Sequence, residues 1–542
     1  MALIPVDNVG QTGIVKDINP WQLPPNVWSD GNNVRSEHGA IVKAPGYAEV
    51  MATCPVTPYH IVQLKTEANT YWIIASLTKI YVHNGTTWTN ITRQTLGSDV
   101  DYNATANEGW TSTVIGGILV MSNGFDQPQF WGLTAGGVPS TSTKMDNLTN
   151  WAAGAGADHY PVSVRAFRTF LVALNITEAT VPFPRKVKWS TEAAIQTLPS
   201  SWDENSAIVD AGEYSLEDTK GKILDGLPLG DVFMIYKEDS IYTMSYVGTP
   251  FIFAFKQLSP SVGALSKNCV AEFDGGHFFL GNGDVYINDG QRVKSILPHK
   301  IRDYLFENLD GGNMERSFVV ADYGNTEMWA CFPTPESASN QCNKAIVWNW
   351  TNQAFTIRDL PDLAHIGYGT QDDPNAFTTW AAAIPTWASA IGGWAVTWSQ
   401  SENVLLFASP TNTKLYRNAS GNKEDTTDMV SFIERTGITT NSQNQNDQST
   451  VKRIKAIWPK MEISGANTVN VYVGTQMSTE EGISWSSPVA FNPDSQSKVS
   501  VRKSGKLYGV KFESTGDFHW RLDGYDVELD DAGRRGSRGY NV

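Results

Sequence analysis

Little in this chain is of the kind that performs chemistry or crosses a bilayer. Four cysteines, Cys54, Cys269, Cys331 and Cys342, are spread over 542 residues with no Cys-x-x-Cys pair, which speaks against a zinc site and against a disulfide framework. Buried free thiols in a reducing cytoplasm are the reading that follows, with a Cys331 to Cys342 bridge across one hairpin as the alternative. The eight histidines, at 38, 60, 83, 159, 277, 299, 365 and 519, show no His-x-x-x-His spacing, so no metal centre is expected. Neither a Gly-x-Ser-x-Gly elbow nor a phosphate-binding Gly-Lys-Ser/Thr loop occurs; Lys220-Gly221-Lys222 lacks the glycine-rich run before it, and nucleotide hydrolysis has no support. The longest apolar stretch, residues 114–121, is too short and too glycine-rich to span a membrane. Pro5 and Asp7 stand where a secretory leader would have a basic start and an apolar run.

Charge is scarce too. Charged residues make up 18% of the chain, against roughly 25% in ordinary globular domains, and the formal balance of −15 opposes adhesion to nucleic acid or to an anionic membrane. DNA that passes without sticking is compatible with that balance. Catalytic, cofactor-binding and metal-binding residues are therefore assigned to none, and no enzymatic activity is expected.

What the chain does have is turns. Short strands running into Asn-Gly or Asp-Gly, often with a tryptophan nearby, recur from about residue 70 to 425: Ile80-Tyr81-Val82-His83-Asn84-Gly85 before Trp88, Met121-Ser122-Asn123-Gly124 before Trp131, and Val285-Tyr286-Ile287-Asn288-Asp289-Gly290. Such dipeptides accept the positive φ angles of a two-residue hairpin turn. A hairpin cannot bury its apolar face alone, so a series of them is expected to pack radially as a propeller, in preference to stacked sandwiches. Residues 113–122 read as one strand, 164–174 as another, and the set amounts to about six to eight blade-like units. Insertions at 134–160 and 191–230 break the period. The expected fold is mainly β, an irregular propeller-like domain followed by a C-terminal antiparallel sandwich.

Three regions follow. Residues 1–60 form an extended arm and hairpin, because Pro20, Pro24 and Pro25 bar helix and favour a polyproline-like path that needs neighbours to hold it. Residues 61–428 hold the hairpin array. Beyond a polar linker at 441–450, period-two alternation marks a small β domain within 429–542. Its end, Gly533-Arg534-Arg535-Gly536-Ser537-Arg538-Gly539, is basic and glycine-rich: a disordered end, or a contact for acidic neighbours or DNA.

Some patterns invite a functional reading and are weighed against a structural one. Ser478-Thr479-Glu480-Glu481-Gly482-Ile483-Ser484-Trp485 resembles the Asp-box of sialidase-like propellers, with Glu480 in the aspartate place. It is a single copy of a turn device, and Arg165, Arg168 and Arg185 are too few and unaligned to form an acid-binding cluster. Trp88, Trp131, Trp189, Trp348, Trp350, Trp394 and Trp398 could make a sugar platform but fit the core between blades better. Asp231, Glu238, Asp239, Asp284 and Asp289 sit in or beside turns, where they serve turn chemistry.

Four blocks carry a family resemblance. They are Pro24-Pro25-Asn26-Val27-Trp28-Ser29-Asp30-Gly31-Asn32-Asn33-Val34-Arg35 with Gly39-Ala40-Ile41-Val42-Lys43-Ala44-Pro45-Gly46-Tyr47; Val262-Gly263-Ala264-Leu265-Ser266 running to Phe278-Phe279-Leu280-Gly281-Asn282-Gly283-Asp284-Val285-Tyr286; Ser431-Phe432-Ile433-Glu434-Arg435-Thr436-Gly437 with Ile457-Trp458-Pro459; and Trp520-Arg521-Leu522-Asp523-Gly524-Tyr525-Asp526-Val527-Glu528. Together they resemble the tail nozzle proteins of short-tailed bacteriophages, the tail tubular protein B or packaged-DNA stabilisation family. The resemblance implies a structural virion protein, assembled in the host bacterial cytoplasm as a homo-hexamer around a central channel. It implies docking below the portal and its adaptor ring, neighbours among tail fibre, spike or needle proteins, and a gate that retains packaged DNA and releases it at infection. Which residues line the channel or gate is unknown; residues 203–230 and 441–450 are the candidate loops. The alternative is a receptor- or glycan-binding tail protein, with or without glycan cleavage.

Overall fold

The computed structural model describes residues 2–66, 69–132, 140–151, 159–206, 208–372 and 401–532. Seven antiparallel sheets follow one another along the chain. Their first strands are His60–Lys65, Thr111–Ile115, His159–Phe167, Ile223–Leu229, Val270–Phe273, Phe318–Asp322 and His365–Asp372. Each lies beside the next, and the seventh lies beside the first, so the sheets are the blades of a closed propeller. The first six blades have four strands of their own. The seventh has three, Ser401–Ser409 and Lys414–Asn418 following His365–Asp372, and borrows Tyr47–Glu49 from the N-terminal segment as its fourth.

Closure follows from where the apolar side chains lie. A separate cluster fills each groove between neighbouring blades: Tyr71, Trp110 and Trp131 between the first and second, Val172, Trp189 and Phe253 between the third and fourth, Trp72, Ile74 and Leu406 between the seventh and first. Trp348 is buried and Trp88 and Trp350 are packed against these cores, as expected of strand tryptophans. Trp394 and Trp398 lie outside the described residues, as do the basic 533–539 segment and parts of the 134–160 insertion.

The C-terminal module is a two-sheet sandwich, and half of its edge strands come from the other end of the chain. One sheet runs Val34–Glu37, Ala40–Lys43, Trp520–Asp531, Lys452–Ile463, Val499–Gly505, with Ala2–Asp7 also paired to Trp520–Asp531. The other runs Asp30–Asn32, Val430–Ile438, Leu507–Thr515, Val469–Gln476, Ser484–Trp485. Its interior, with Trp28, Ile433, Val510 and Val527, is continuous with Phe278, Met328 and Trp348 of the fifth and sixth blades. One core thus serves both modules.

Four sequence expectations need correction. The stretch around Pro20, expected to be extended with helix barred, makes a 3-10 turn at Pro20–Gln22, which proline admits at the first position of a helical turn. The quoted Asn-Gly and Asp-Gly sites do close hairpins, but not with two-residue turns: the loops are residues 84–87, 123–128 and 289–292. In each, a side-chain oxygen caps the turn. Asn84 Oδ1 accepts from the amides of Thr86 and Thr87, Asn123 Oδ1 from Phe125 and Asp126, and Asp289 Oδ1 from Gln291 and Arg292. Where such a cap forms, the loop is a longer Asx-type turn; at Asp274-Gly275, with φ of 28° and 77°, and at Asn282-Gly283 the same dipeptides close the expected two-residue turns. Conversely, residues 113–122 are two strands folded at Gly116-Gly117, both with positive φ (53° and 88°), the conformation a two-residue turn demands. Residues 164–174 likewise fold at Arg168-Thr169.

Candidate functional site

The axis of the propeller is the first place to look for a site, because side chains from all seven blades converge there. It is filled. Arg165, from the third blade, grips Asp225 of the fourth through two parallel hydrogen bonds, Nε to Oδ1 at 2.8 Å and Nη2 to Oδ2 at 2.6 Å. The same guanidinium reaches the Ser112 carbonyl of the second blade at 2.9 Å and Asn268 Oδ1, before the fifth, at 3.1 Å. Asp225 is wholly buried and also accepts from Ser163 Oγ and the amides of Gly226 and Asn268. Burial alone would raise its carboxyl; the Arg165 charge and these donors overcome it and hold the group below the usual carboxylate range. His60 of the first blade and His365 of the seventh pack ring on ring at a tilt, with centres 4.1 Å apart, and His60 Nε2 lies 2.9 Å from Ser112 Oγ. Phe318 of the sixth blade packs against His365. Burial, then neighbouring positive charge, pushes both imidazoles down, His365 to about 4.

Chemically, this is a plug. Asp225 has its lone pairs spoken for by five donors and is poised to accept nothing more. Among the described residues no group of three or more His, Cys, Asp or Glu side chains could hold a metal ion, and no helix is long and apolar enough to cross a membrane. All four cysteines are free and buried, and burial pushes the Cys54 and Cys269 thiols up to about 12.

The second convergence is the junction between sandwich and propeller, and it is where three of the four resembling blocks meet. Arg435, 1% exposed, spends its guanidinium on backbone carbonyls of the proline-rich arm: Nη1 to Pro20 at 3.0 Å, Nη2 to Leu23 at 2.7 Å, Nε to Pro24 at 3.3 Å, with a further bond to Thr436. No carboxylate touches it, and burial lowers it to about 10. Beside it Gly437 sits at φ +69°, where a Cβ would lie 2.8 Å from the Trp21 amide nitrogen; only glycine lets the arm pass this close. Downstream, Trp28 donates to the Val9 carbonyl at 2.7 Å and packs on Phe512 and Tyr525, while Trp520 donates to Ser514 and Ser431. Asn32 and Asn33 bond Asp359 of the sixth blade, Arg35 pairs with Glu327 at 3.3 Å, and Arg358, stacked on Trp329, bonds the Pro45 carbonyl.

Of the residues singled out from sequence, Arg165 belongs to the axial plug, whereas Arg168 pairs with exposed Asp231 and Arg185 with Glu217, away from it. Asp239 caps the Gly221 amide and Asp284 accepts from Ser295; Glu238 lies 3.6 Å from Lys222. Glu480 is exposed in the loop between Val469–Gln476 and Ser484–Trp485. The candidate gate loops are well bonded: 203–230 contains the strands Gly212–Ser215 and Ile223–Leu229 and is held by Lys237 on the Leu216 and Thr219 carbonyls, and 441–450 folds around Asn441 Oδ1 and Asp447. Asp225, His60 and His365, the centre of the plug, carry no local sequence signal, since each stands alone on its own strand.

No protein-family model matches the chain, and no curated protein matches it. Among solved structures it is similar to PorZ, a bacterial surface component of the type-IX secretion system of Porphyromonas gingivalis, at 8% identity and a TM-score of 0.36, covering 82% of this chain and 59% of that one. It is also similar to the AfRom2 CNH domain, at 8% identity and a TM-score of 0.33, covering 69% of this chain and 97% of that one. Likeness of this order bears on neither function nor partners.

Proposed function

We propose that this chain is a structural subunit of the tail of a short-tailed bacteriophage, a nozzle protein that assembles six to a ring and forms the distal channel through which packaged DNA is retained and then ejected. The observation that carries this reading is the convergence of the resembling blocks. Segments at 24–47, 431–437, 457–459 and 520–528, scattered over the chain, fold into one junction that welds a propeller to a sandwich through a shared core. A body of that kind, stitched by its first strands to its last, transmits load without a hinge.

In this reading the passage lies between subunits, because the axis within each subunit is occupied by Arg165, Asp225, His60 and His365. An excess of acid over base, −15 in all, keeps a phosphate backbone from being trapped on a surrounding wall. Retention and release are then mechanical: a bistable ring held closed by subunit contacts and shifted open at infection. The test is the mass of the assembly together with end-on electron microscopy. A six-fold ring with an open centre supports the nozzle; a monomer, or a compact trimer that binds or cleaves glycans, overturns it.

A further inference from the structure

At one mouth of the propeller axis, where the first strands of the blades begin, lies a narrow recess, open to solvent, with a free volume of about 30 Å³. Lys267 lines it. The side chain is 6% exposed, yet among the described residues its ammonium has a single long hydrogen bond, to the Gly109 carbonyl at 3.3 Å, and its carboxylate neighbour, Glu108 Oε2, stands 3.9 Å off, beyond hydrogen-bond reach. Buried ammonium groups are normally saturated. Lys237, in the same propeller, shows what saturation looks like: carbonyls of Leu216 and Thr219 at 2.9 Å each and Thr219 Oγ1 at 2.6 Å. Lys267 is left with donors to spare. His365 lines the same wall, but its ring already bonds the Ile61 backbone.

We propose that this recess binds a single carboxylate group, with Lys267 as its charged anchor. The size fits: at roughly 10–15 Å³ per water-sized occupant, the recess has room for two oxygen atoms and not for a sugar. The other groups facing Lys267 leave it as the available cation. Arg165 is neutralised by Asp225, Arg316 is engaged by Asn107 Oδ1 and by the carbonyls of Ser339 and Asn340, Lys222 is paired with Glu238, and His60 is neutral at physiological pH. Glu315 also lines the recess and, like Glu108, limits how strongly an anion is drawn in. Glu108, on the loop before the second blade, already brings a carboxylate to the opening, and so competes with any ligand.

The carboxylate is either that of a small free acid or an acidic side chain of a partner polypeptide, and one experiment separates them. The full chain is melted in acetate up to about 100 mM at constant ionic strength, with chloride and phosphate as controls, and its assembled mass is measured in the same series. Acetate is expected to raise the melting temperature by a few degrees. The response should be several-fold stronger in Glu108→Ala, absent in Lys267→Met, and should fade as pH rises past about 8, where burial makes Lys267 give up its proton. A shift with unchanged mass assigns the site to a free acid; a shift accompanied by loss of assembly assigns it to a partner's side chain. Should Lys267→Met fail to fold, the comparison of wild type with Glu108→Ala still decides: if acetate stabilises neither beyond chloride, the recess is no carboxylate site.

Discussion

Two buried arginines tie this molecule together by opposite means. Arg165, at the propeller axis, is balanced by a carboxylate, Asp225, in a two-pronged pair. Arg435, at the junction, is balanced by none: its partners are the carbonyls of Pro20, Leu23, Pro24 and Thr436. The first arrangement stores its stability in an ion pair, which forms wherever two side chains meet in fork geometry. The second needs several carbonyls held at fixed positions, which the arm supplies through prolines of set φ and a 3-10 turn at Pro20–Gln22, the Leu23 and Val27 amides bonding the Pro20 and Pro24 carbonyls that Arg435 also takes. The axis is thus locked by charge, and the junction by backbone shape.

The largest expected effect breaks the axial side of this contrast. Asp225→Ala leaves Arg165 charged, buried and unpaired, and removes the acceptor of Ser163, Gly226 and Asn268; a loss of about 4 kcal/mol in urea unfolding is expected. Adding Arg165→Met should recover part of it, the share owed to the unpaired buried charge, while the donors of Ser163, Gly226 and Asn268 stay without their acceptor. A double variant as unstable as the single one would mean the plug is held by something other than the pair. At the junction, Arg435→Met should cost about 3 kcal/mol through lost charge-assisted bonds, and no second substitution can relieve it, since the orphaned acceptors are backbone. Limited proteolysis should find new cleavage within residues 16–29. Cleavage elsewhere with the arm intact would show that Arg435 does not hold it.

The two sites also differ in how visible they are in the sequence. The proline-rich arm declares itself as a segment that needs neighbours, and the 431–437 block that clamps it stands out as a motif, so the junction is half legible. Its other half is not: Val34–Glu37 and Ala40–Lys43 alternate like any hairpin, and nothing local says that their sheet partner is Trp520–Asp531. The axis is scarcely legible at all. A propeller builds its centre from single residues contributed by successive blades, so Ser112, Arg165, Asp225 and Asn268 have no fixed spacing, and Arg165 read alone is an arginine without a partner. The hairpin array, in contrast, is legible because each unit repeats the same local physics, strand, turn, strand, however irregular the insertions.

Acid should weaken the axis, whereas at the junction it works the other way, since burial raises the Glu434 carboxyl to about 7 and the folded chain there takes up a proton more readily than the unfolded one. His365 is held neutral when folded, with a pKa of about 4, below its ordinary value of 6.5. Between those values the unfolded chain binds a proton that the folded chain refuses, so stability is complete above about pH 6.5 and falls as pH drops toward 4. For His365 the loss is about 2 kcal/mol by pH 5, and His60 acts in the same direction. His365→Asn should flatten the profile of urea midpoint against pH over this window, while Arg435→Met should shift it down without changing its shape. An unchanged slope in His365→Asn would assign the acid sensitivity to other groups.

The smallest effect concerns the turns, where sequence and structure agree on position and differ on form. Asn84 and Asp289 occupy the first place of four-residue loops and each cap two amides with one oxygen; Asp289 is thereby held below the usual carboxylate range, chiefly by the amides of Gln291 and Arg292. If the capping oxygen selects the loop, Asn84→Ala and Asp289→Ala should each cost about 1 kcal/mol, and Asn84→Asp or Asp289→Asn should cost much less, because the oxygen is kept. If instead the following glycine selects the loop by admitting positive φ, at 94° for Gly85 and 84° for Gly290, the alanine variants would be nearly neutral and Gly85→Ala or Gly290→Ala would carry the loss. The pair of substitutions at one turn therefore separates the two halves of the Asn-Gly signal. Neither residue type dictates the form by itself, since Asp274-Gly275 and Asn282-Gly283 close two-residue turns in the same chain; what distinguishes Asn84 and Asp289 is the pair of amides each one caps, and the alanine variants remove that cap while leaving the glycine in place.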